Sequence, residues 1–206
     1  RSPGKRPIEL LIDAVRVNRS LLAVHAVHMV VEEVARFADA GVSIAHCPNS
    51  NLKLASGIAN IAKYREAGLN VALGTDGAAS NNVLDMFSEM RTAALLAKAT
   101  ASDASAITAS EALHMATLGG AQALGLERST GSIETGKMAD LACVDLSNLN
   151  SQPVYDVISQ LVYAVRSDQV ADVWVGGRHQ LDNGEFAHID TDGLIARCNE
   201  WRERIA

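Results

Sequence analysis

Little in this chain points to a covalent framework or a nucleic-acid surface. Its three cysteines, Cys47, Cys143 and Cys198, lie far apart with no CxxC or CxxH spacing. That excludes a disulfide scaffold and a cysteine zinc site, and makes a reducing cytoplasm the expected compartment. Lysine and arginine form no block, and the net charge of -6 is spread over mixed signs, so neither nucleic acid nor an anionic membrane is an expected partner. No apolar run approaches the ~20 residues that span a bilayer. The opening Arg1-Ser2-Pro3-Gly4-Lys5-Arg6 has neither an initiator Met nor the apolar core of a signal peptide, so it reads as a chain entered midway. Internal repeats and low-complexity stretches are also absent. What remains is a globular composition, 48% hydrophobic and 20% charged over 206 residues. It suffices for one large domain or one and a half, and suits a small neutral or cationic substrate.

The hydrophobic pattern predicts a first helix over 7–17 and then three strand-to-helix units. A strand over 21–27 precedes a helix that Gly41 ends, and a strand over 42–47 is stopped by Pro48. Residues 49–57 are rich in turn formers and read as a loop, followed by a helix over 58–67. The third strand is Asn70-Val71-Ala72-Leu73, with Gly74-Thr75-Asp76-Gly77 turning toward a helix over 83–99. Repeated strand-helix-strand order implies parallel strands, hence an α/β fold. From Thr108 the pattern changes. Thr108-Ala109-Ser110-Glu111 has the form of a capping box, and Gly119-Gly120 reads as a helix break. Segments 131–133, 139–146, 170–175 and 178–181 have β character, and a last helix runs over 192–205.

His25, His46 and Asp76 all fall at carboxyl ends of parallel strands, where α/β folds place chemistry. Their separations of 21 and 30 residues each accommodate one crossover, so the three side chains can meet on one rim. For Asp76 the bland alternative is a cap on the next helix; for His25 it is a satisfied core histidine. His46 suits a role behind the site or a structural one. Ser80, four residues past Asp76, can reach a substrate hydroxyl or serve as a cap. Asn51 and Lys53 belong to a loop at the same rim, His28 is placed to start a helix, and His114, His179 and His188 have no partner spacing.

Four motifs in order, Val24-His25-Ala26-Val27-His28, His46-Cys47-Pro48-Asn49-Ser50-Asn51-Leu52-Lys53-Leu54, Gly74-Thr75-Asp76-Gly77 and Gly131-Ser132-Ile133-Glu134-Thr135-Gly136-Lys137-Met138-Ala139-Asp140-Leu141, resemble the amidohydrolase superfamily. The branch they are most similar to is that of the 5-methylthioadenosine/S-adenosylhomocysteine deaminases and chlorohydrolase-like enzymes. The run from Asp76 to Asn82, followed by Glu89-Met90-Arg91, looks most like the adenosine-thioether deaminases.

The resemblance implies the C-terminal part of a (β/α)8 TIM-type barrel over 1–126, part of a small composite β-sandwich over 127–190 and a terminal helix over 191–206. It implies zinc or another divalent metal, with Asp76 as ligand and proton acceptor, and His25 as a catalytic histidine that hydrogen-bonds the attacking hydroxide. Asp76 and Ser80 would also touch substrate. The family's H-x-H and H-x-x-E are absent from this sequence. A closed barrel takes about 250 residues, so the other ligands are expected from an N-terminal part of the barrel. The implied reaction is hydrolytic deamination of an adenine nucleoside thioether with release of ammonia. Two alternatives stand beside it: a relative acting on a triazine, guanine or a similar heterocycle, and a catalytically silent half-barrel that serves in assembly or binding. A homo-oligomer is compatible with any of them.

Overall fold

Three short parallel strands carry the candidate residues in the computed structural model, which describes residues 4–14 and 17–205. Helix α1 (Pro7–Ala14) comes first; residues 15 and 16 of its expected span, like the start of the chain at 1–3, lie outside the described residues, and Val17 is not helical. Then follow β1 (Leu22–Val24), α2 (Val31–Asp39), β2 (Ser43–His46), α3 (Pro48–Lys53), α4 (Ile61–Glu66), β3 (Asn70–Leu73) and α5 (Met86–Ala101). The strands pair in parallel in the order β1-β2-β3, with Val24 opposite Ala45 and His46 opposite Leu73. Their carboxyl ends are therefore level, and the turns after them share one rim. Within the described residues β1 and β3 are both edges of this sheet.

The core lies between the strands and the helices that follow them. Val34 and Phe37 of α2, Ile61 and Tyr64 of α4, and Met90, Ala93, Ala94 and Ala97 of α5 pack with Val42, Ile44 and Val71. The alternating apolar strand residues and the i, i+3, i+4 apolar stripe of each helix generate that layer. Helix α5 starts at the Asp85 cap, whose Oδ1 accepts from Phe87 N at 2.8 Å. Neither Asp76 nor Ser80 fills that role.

Helix α3 replaces the first part of the expected loop at 49–57, and residues 54–57 are turn and loop as expected. Pro48 occupies its first position, where a missing N–H costs nothing. Its Asn49, Ser50 and Asn51 face protein while Leu52 is exposed, so it has no apolar period to read. Asn49, Ser50, Asn51 and Lys53 all bond to other segments. Helices α6 (Ala109–Ala116) and α7 (Leu118–Leu124) meet at Thr117. The expected box at Thr108 and Glu111 is present, but Gly119-Gly120 lies inside α7 and is no break. A Cβ on Gly119 would stand 3.2 Å from Val71 O, so this glycine lets α7 lie close on β3.

Residues 131–133 form no strand. They belong to a local turn in which Lys137 Nζ bonds Ser132 Oγ and Met138 N bonds Ser129 O, while Ile133 stays exposed. The second sheet is antiparallel, β4 (Leu141–Val144), β5 (Val170–Val175), β6 (Arg178–Asp182) and β7 (Glu185–Phe186) in that order. Helix α8 (Val157–Tyr163), which the pattern did not predict, docks on α5: Arg91 donates to Val162 O and Val165 O. Helix α9 (Thr191–Ile205) ends the described chain.

One ion pair ties α1 to this layer. Glu33, almost fully buried, accepts from Arg6 Nε at 2.7 Å and from Val30 N at 2.9 Å, while Arg6 also reaches His28 O. His28 thus enters through its carbonyl, and the start of α2 belongs to Val30. The Arg6 bond holds the Glu33 carboxyl below its ordinary 4.5, against the effect of burial. A depressed carboxyl stabilises the fold above its unfolded pKa and loses that contribution as the pH falls. Glu33→Gln should therefore lower the denaturation midpoint at pH 7, and the gap to wild type should shrink below about pH 4.5. A gap that stays constant from pH 7 to pH 3 would contradict this.

Candidate functional site

The turn after β3 is built around the Asp76 carboxylate. Asp76 has φ 60°, in the left-handed region, a conformation that Asp tolerates better than most residues. Its Oδ1 accepts from Gly77 N at 2.8 Å, and Oδ2 accepts from both Ser50 Oγ and Ser80 Oγ at 2.7 Å. These donors hold its carboxyl at about 2, below the ordinary 3.8, with Ser50 the largest cause. The carboxylate remains about one-third exposed, so it is bonded and still accessible.

His25 arrives from the end of β1. Its backbone N bonds Ala45 O, continuing the ladder, and the chain then turns through positive φ at His25 (67°) and Ala26 (48°). Tyr64 Oη donates to Ala26 O at 2.7 Å and fixes that turn. His25 Nδ1 lies 2.9 Å from Asn51 Oδ1, and Nε2 lies 3.7 Å from Asp76 Oδ2. Non-glycine residues in the left-handed region cost energy and concentrate at functional sites. Here His25, Ala26 and Asp76 bring that strain to one rim.

The other expected residues divide. His46 is buried at the end of β2 with Nδ1 unpartnered, and burial, reinforced by His25, pushes its pKa down to about 4. It is a neutral ring behind the site. Asn51 is buried, its Oδ1 on His25 and its Nδ2 unpartnered. Lys53 closes the turn after β3 by donating to Ala79 O and Asn82 Oδ1. Cys47 is buried beside Asp76 and Glu89, and burial pushes its thiol up to about 11, so it is no nucleophile.

Sequence reasoning missed Ser50, whose hydroxyl joins α3 to Asp76, and Asn49, Asn81 and Glu89 behind it. The available signals were membership of the runs that carry the family resemblance and position, with Ser50 four residues beyond the end of β2 on the same rim.

Among the described residues, Asp172, His179 and Asp182 form a second group of potential ligands, with one ligand atom of each within 4.8 Å of the others. His179 Nε2 is engaged by Asp172 Oδ1 at 3.0 Å and its ring stacks on Trp174. This group belongs to β5 and β6, on the other sheet.

At the rim, an ionised carboxylate and the Nε2 of a histidine whose other nitrogen is anchored face one space. Hard oxygen and imidazole donors of this kind suit zinc or another divalent metal. Two groups fall short of the four that a tetrahedral zinc takes, so any such site needs further ligands from outside this chain.

The amidohydrolase family matches residues 9–179. A 5-methylthioadenosine/S-adenosylhomocysteine deaminase of Moorella thermoacetica is 47% identical over 197 residues, which cover 96% of this chain and 46% of that protein. Among solved structures, an adenosine deaminase from Xanthomonas campestris with bound zinc is 51% identical with a TM-score of 0.97, over 99% of this chain and 46% of its own. The atrazine chlorohydrolase of Arthrobacter aurescens TC1, complexed with zinc, is 32% identical with a TM-score of 0.90, over 96% of this chain and 44% of its own. The chain thus spans a little under half the length of the relatives it matches.

Replacing the cross-loop donor tests the carboxylate's setting. In metal-free protein, Ser50→Ala should move the Asp76 titration upward from about 2 toward the ordinary 3.8, by more than Ser80→Ala does. Carboxyl carbon shifts followed by NMR report this, and an unmoved Asp76 in Ser50→Ala would contradict the assignment.

Proposed function

We propose, starting from the fact that this chain belongs to the amidohydrolase family, that it provides the C-terminal part of a metal-dependent deaminase of 5-methylthioadenosine or S-adenosylhomocysteine. Residues 1–126 would be the last units of a (β/α)8 barrel, 127–190 part of a composite β-sandwich and 191–206 its closing helix. The two open edges of the parallel sheet, and Val24 half exposed on β1, support strands to be supplied by the rest of the barrel. Among the described residues no helix is long and apolar enough to cross a membrane, and we place the enzyme in the cytoplasm.

One observation carries the reading: His25 Nε2 and Asp76 Oδ2 stand 3.7 Å apart at level carboxyl ends of parallel strands. Asp76 would hold zinc or another divalent ion together with ligands from the N-terminal part of the barrel. A metal bound there lowers the pKa of water and supplies a nucleophile near neutral pH. The Asp76 carboxylate, oriented by Ser50 and Ser80, would take the proton that the attacking water gives up.

Asn51 Oδ1 can only accept, so His25 carries its hydrogen on Nδ1. Nε2 is then free to accept a hydrogen bond from the attacking water. That hydrogen bond would aim the hydroxide at the amino-bearing carbon and persist to the hydroxyl of the tetrahedral adduct, which keeps its remaining hydrogen. Ser80 Oγ donates to Asp76 and keeps its lone pairs, which can accept from a ribose hydroxyl. One water proton, by way of Asp76, would end on the ring nitrogen and the other on the amino group, so that the C–N bond breaks with loss of NH3 and the attacked carbon keeps the oxygen as a carbonyl.

A triazine or another amino- or chloro-heterocycle is the second reading, supported by the likeness to the atrazine chlorohydrolase. The test uses the full-length enzyme. Metal per chain and ammonia release from methylthioadenosine, S-adenosylhomocysteine and an aminotriazine are measured for wild type, Asp76→Ala and His25→Ala. Asp76→Ala should lose most of its metal and at least 10³-fold in kcat, roughly what one acid–base group contributes. His25→Ala should lose roughly 10²–10⁴-fold in kcat with its metal retained. Equal metal loss in both variants would make His25 a ligand, and turnover of the triazine alone would select the second reading.

A further inference from the structure

Helix α5 carries a carboxylate that the mechanism above does not use. Glu89 is fully buried, and among the described residues no Lys, Arg or His pairs with it. Taking a carboxylate out of water without a counter-ion is costly, and hydrogen bonds must replace its hydration. Three do so. Oε1 accepts from Asn49 Nδ2 at 2.9 Å and from Asn81 Nδ2 at 2.6 Å, and Oε2 accepts from Asn49 N at 3.2 Å.

The two asparagines stand on the two segments that make the rim, Asn49 in the first turn of helix α3 and Asn81 in the turn after β3. Asn81, itself buried, also gives an amide hydrogen to Thr75 O at 2.9 Å, the carbonyl immediately before Asp76. Asn49 immediately precedes Ser50, which donates to Asp76 Oδ2. From one buried carboxylate, then, one path leads to the backbone behind Asp76 and another to the hydroxyl in front of it. Only an acceptor-only group with two oxygens can take all three donors. A glutamine would present its NH2 either to Asn49 N–H or to both side-chain amides.

We propose that Glu89 is a positioning residue for the Asp76 carboxylate, locking the turns after β2 and β3 to each other so that Asp76 is aimed at the rim before metal arrives. The inference rests on reading Asp76 as a metal ligand. Groups that orient a ligand from behind are expected to set metal affinity by 10- to 100-fold when removed. A glutamate that merely fills space in α5 would affect the melting temperature alone.

The test compares Glu89→Gln, Glu89→Asp, Asn81→Ser and Asp76→Ala in the full-length enzyme. Zinc affinity is measured by competition with a chromophoric chelator, the folded fraction by circular dichroism, and kcat and KM by ammonia release. Glu89→Gln should remain folded, bind zinc about 10- to 100-fold more weakly and lose kcat with little change in KM. Excess zinc should restore part of that kcat. Glu89→Asp, which keeps both oxygens on a shorter arm, should fall between Glu89→Gln and wild type. Asn81→Ser cuts one path without touching the charge and should weaken zinc in the same direction, which keeps the inference testable if Glu89→Gln does not fold. Wild-type zinc affinity per folded molecule in Glu89→Gln or in Asn81→Ser, beside an Asp76→Ala that loses its zinc, would overturn the Glu89 inference alone. Zinc retained by Asp76→Ala would overturn the ligand reading, and the Glu89 inference with it.

Discussion

Ser50 donates its hydroxyl to Asp76 across the gap between two strand ends, and the rim depends on that 2.7 Å bond. It requires β2 and β3 to run parallel and level, since otherwise the first turn of α3 could not stand beside the turn after β3. It also requires α3 to be a helix, which places Ser50 toward Asp76 and the next residue, Asn51, toward His25. Three strands thus deliver three polar turns to one place. The hydroxyl donors on the carboxylate offset part of the cost of holding Asp76 at positive φ.

The polar layer beneath the rim differs from the apolar layer between strands and helices. Phe37, Ile44, Val71 and Met90 pack without directional demands. Asn49, Asn81 and Glu89 carry buried polar atoms that must each find a partner, and a partly satisfied network would be worse than an apolar one. Neighbouring positions of α5 serve both layers. Glu89 turns to the rim, Met90 to the core and Arg91 to the carbonyls of Val162 in α8 and Val165 just after it. One turn of helix therefore connects the candidate site to the C-terminal part of the chain.

Much of this was legible in the sequence, for physical reasons. Apolar alternation and the glycines after each helix gave the parallel order, and His25 and Asp76 stood out because a polar residue that ends an apolar strand has few structural uses. The segments that escaped are those whose stability is tertiary. Helix α3 is composed of turn formers and holds together through bonds to His25, Asp76 and Ala79, none of which is near in sequence. Gly119-Gly120 looks like a break, yet Gly119 is needed where α7 lies against Val71 O. Residues 131–133 alternate like a strand but close on themselves through Lys137 and Ser132. Ser50 and Glu89 lie within runs that carry the family resemblance, but nothing local marks their roles, because each acts through a residue on another segment.

In the proposed enzyme the carboxylate pinned by Ser50 and Ser80 would be a metal ligand, while His25 would be a neighbour that acts on water. A crystal structure of the zinc-loaded full-length enzyme, with the metal located by anomalous scattering at its absorption edge, tests this directly. The account predicts an Asp76 carboxylate oxygen at about 2.0–2.2 Å from zinc, with His25 Nε2 outside bonding distance and facing the open coordination position. A zinc ion coordinated without Asp76, or one bound directly by His25 Nε2, would contradict it.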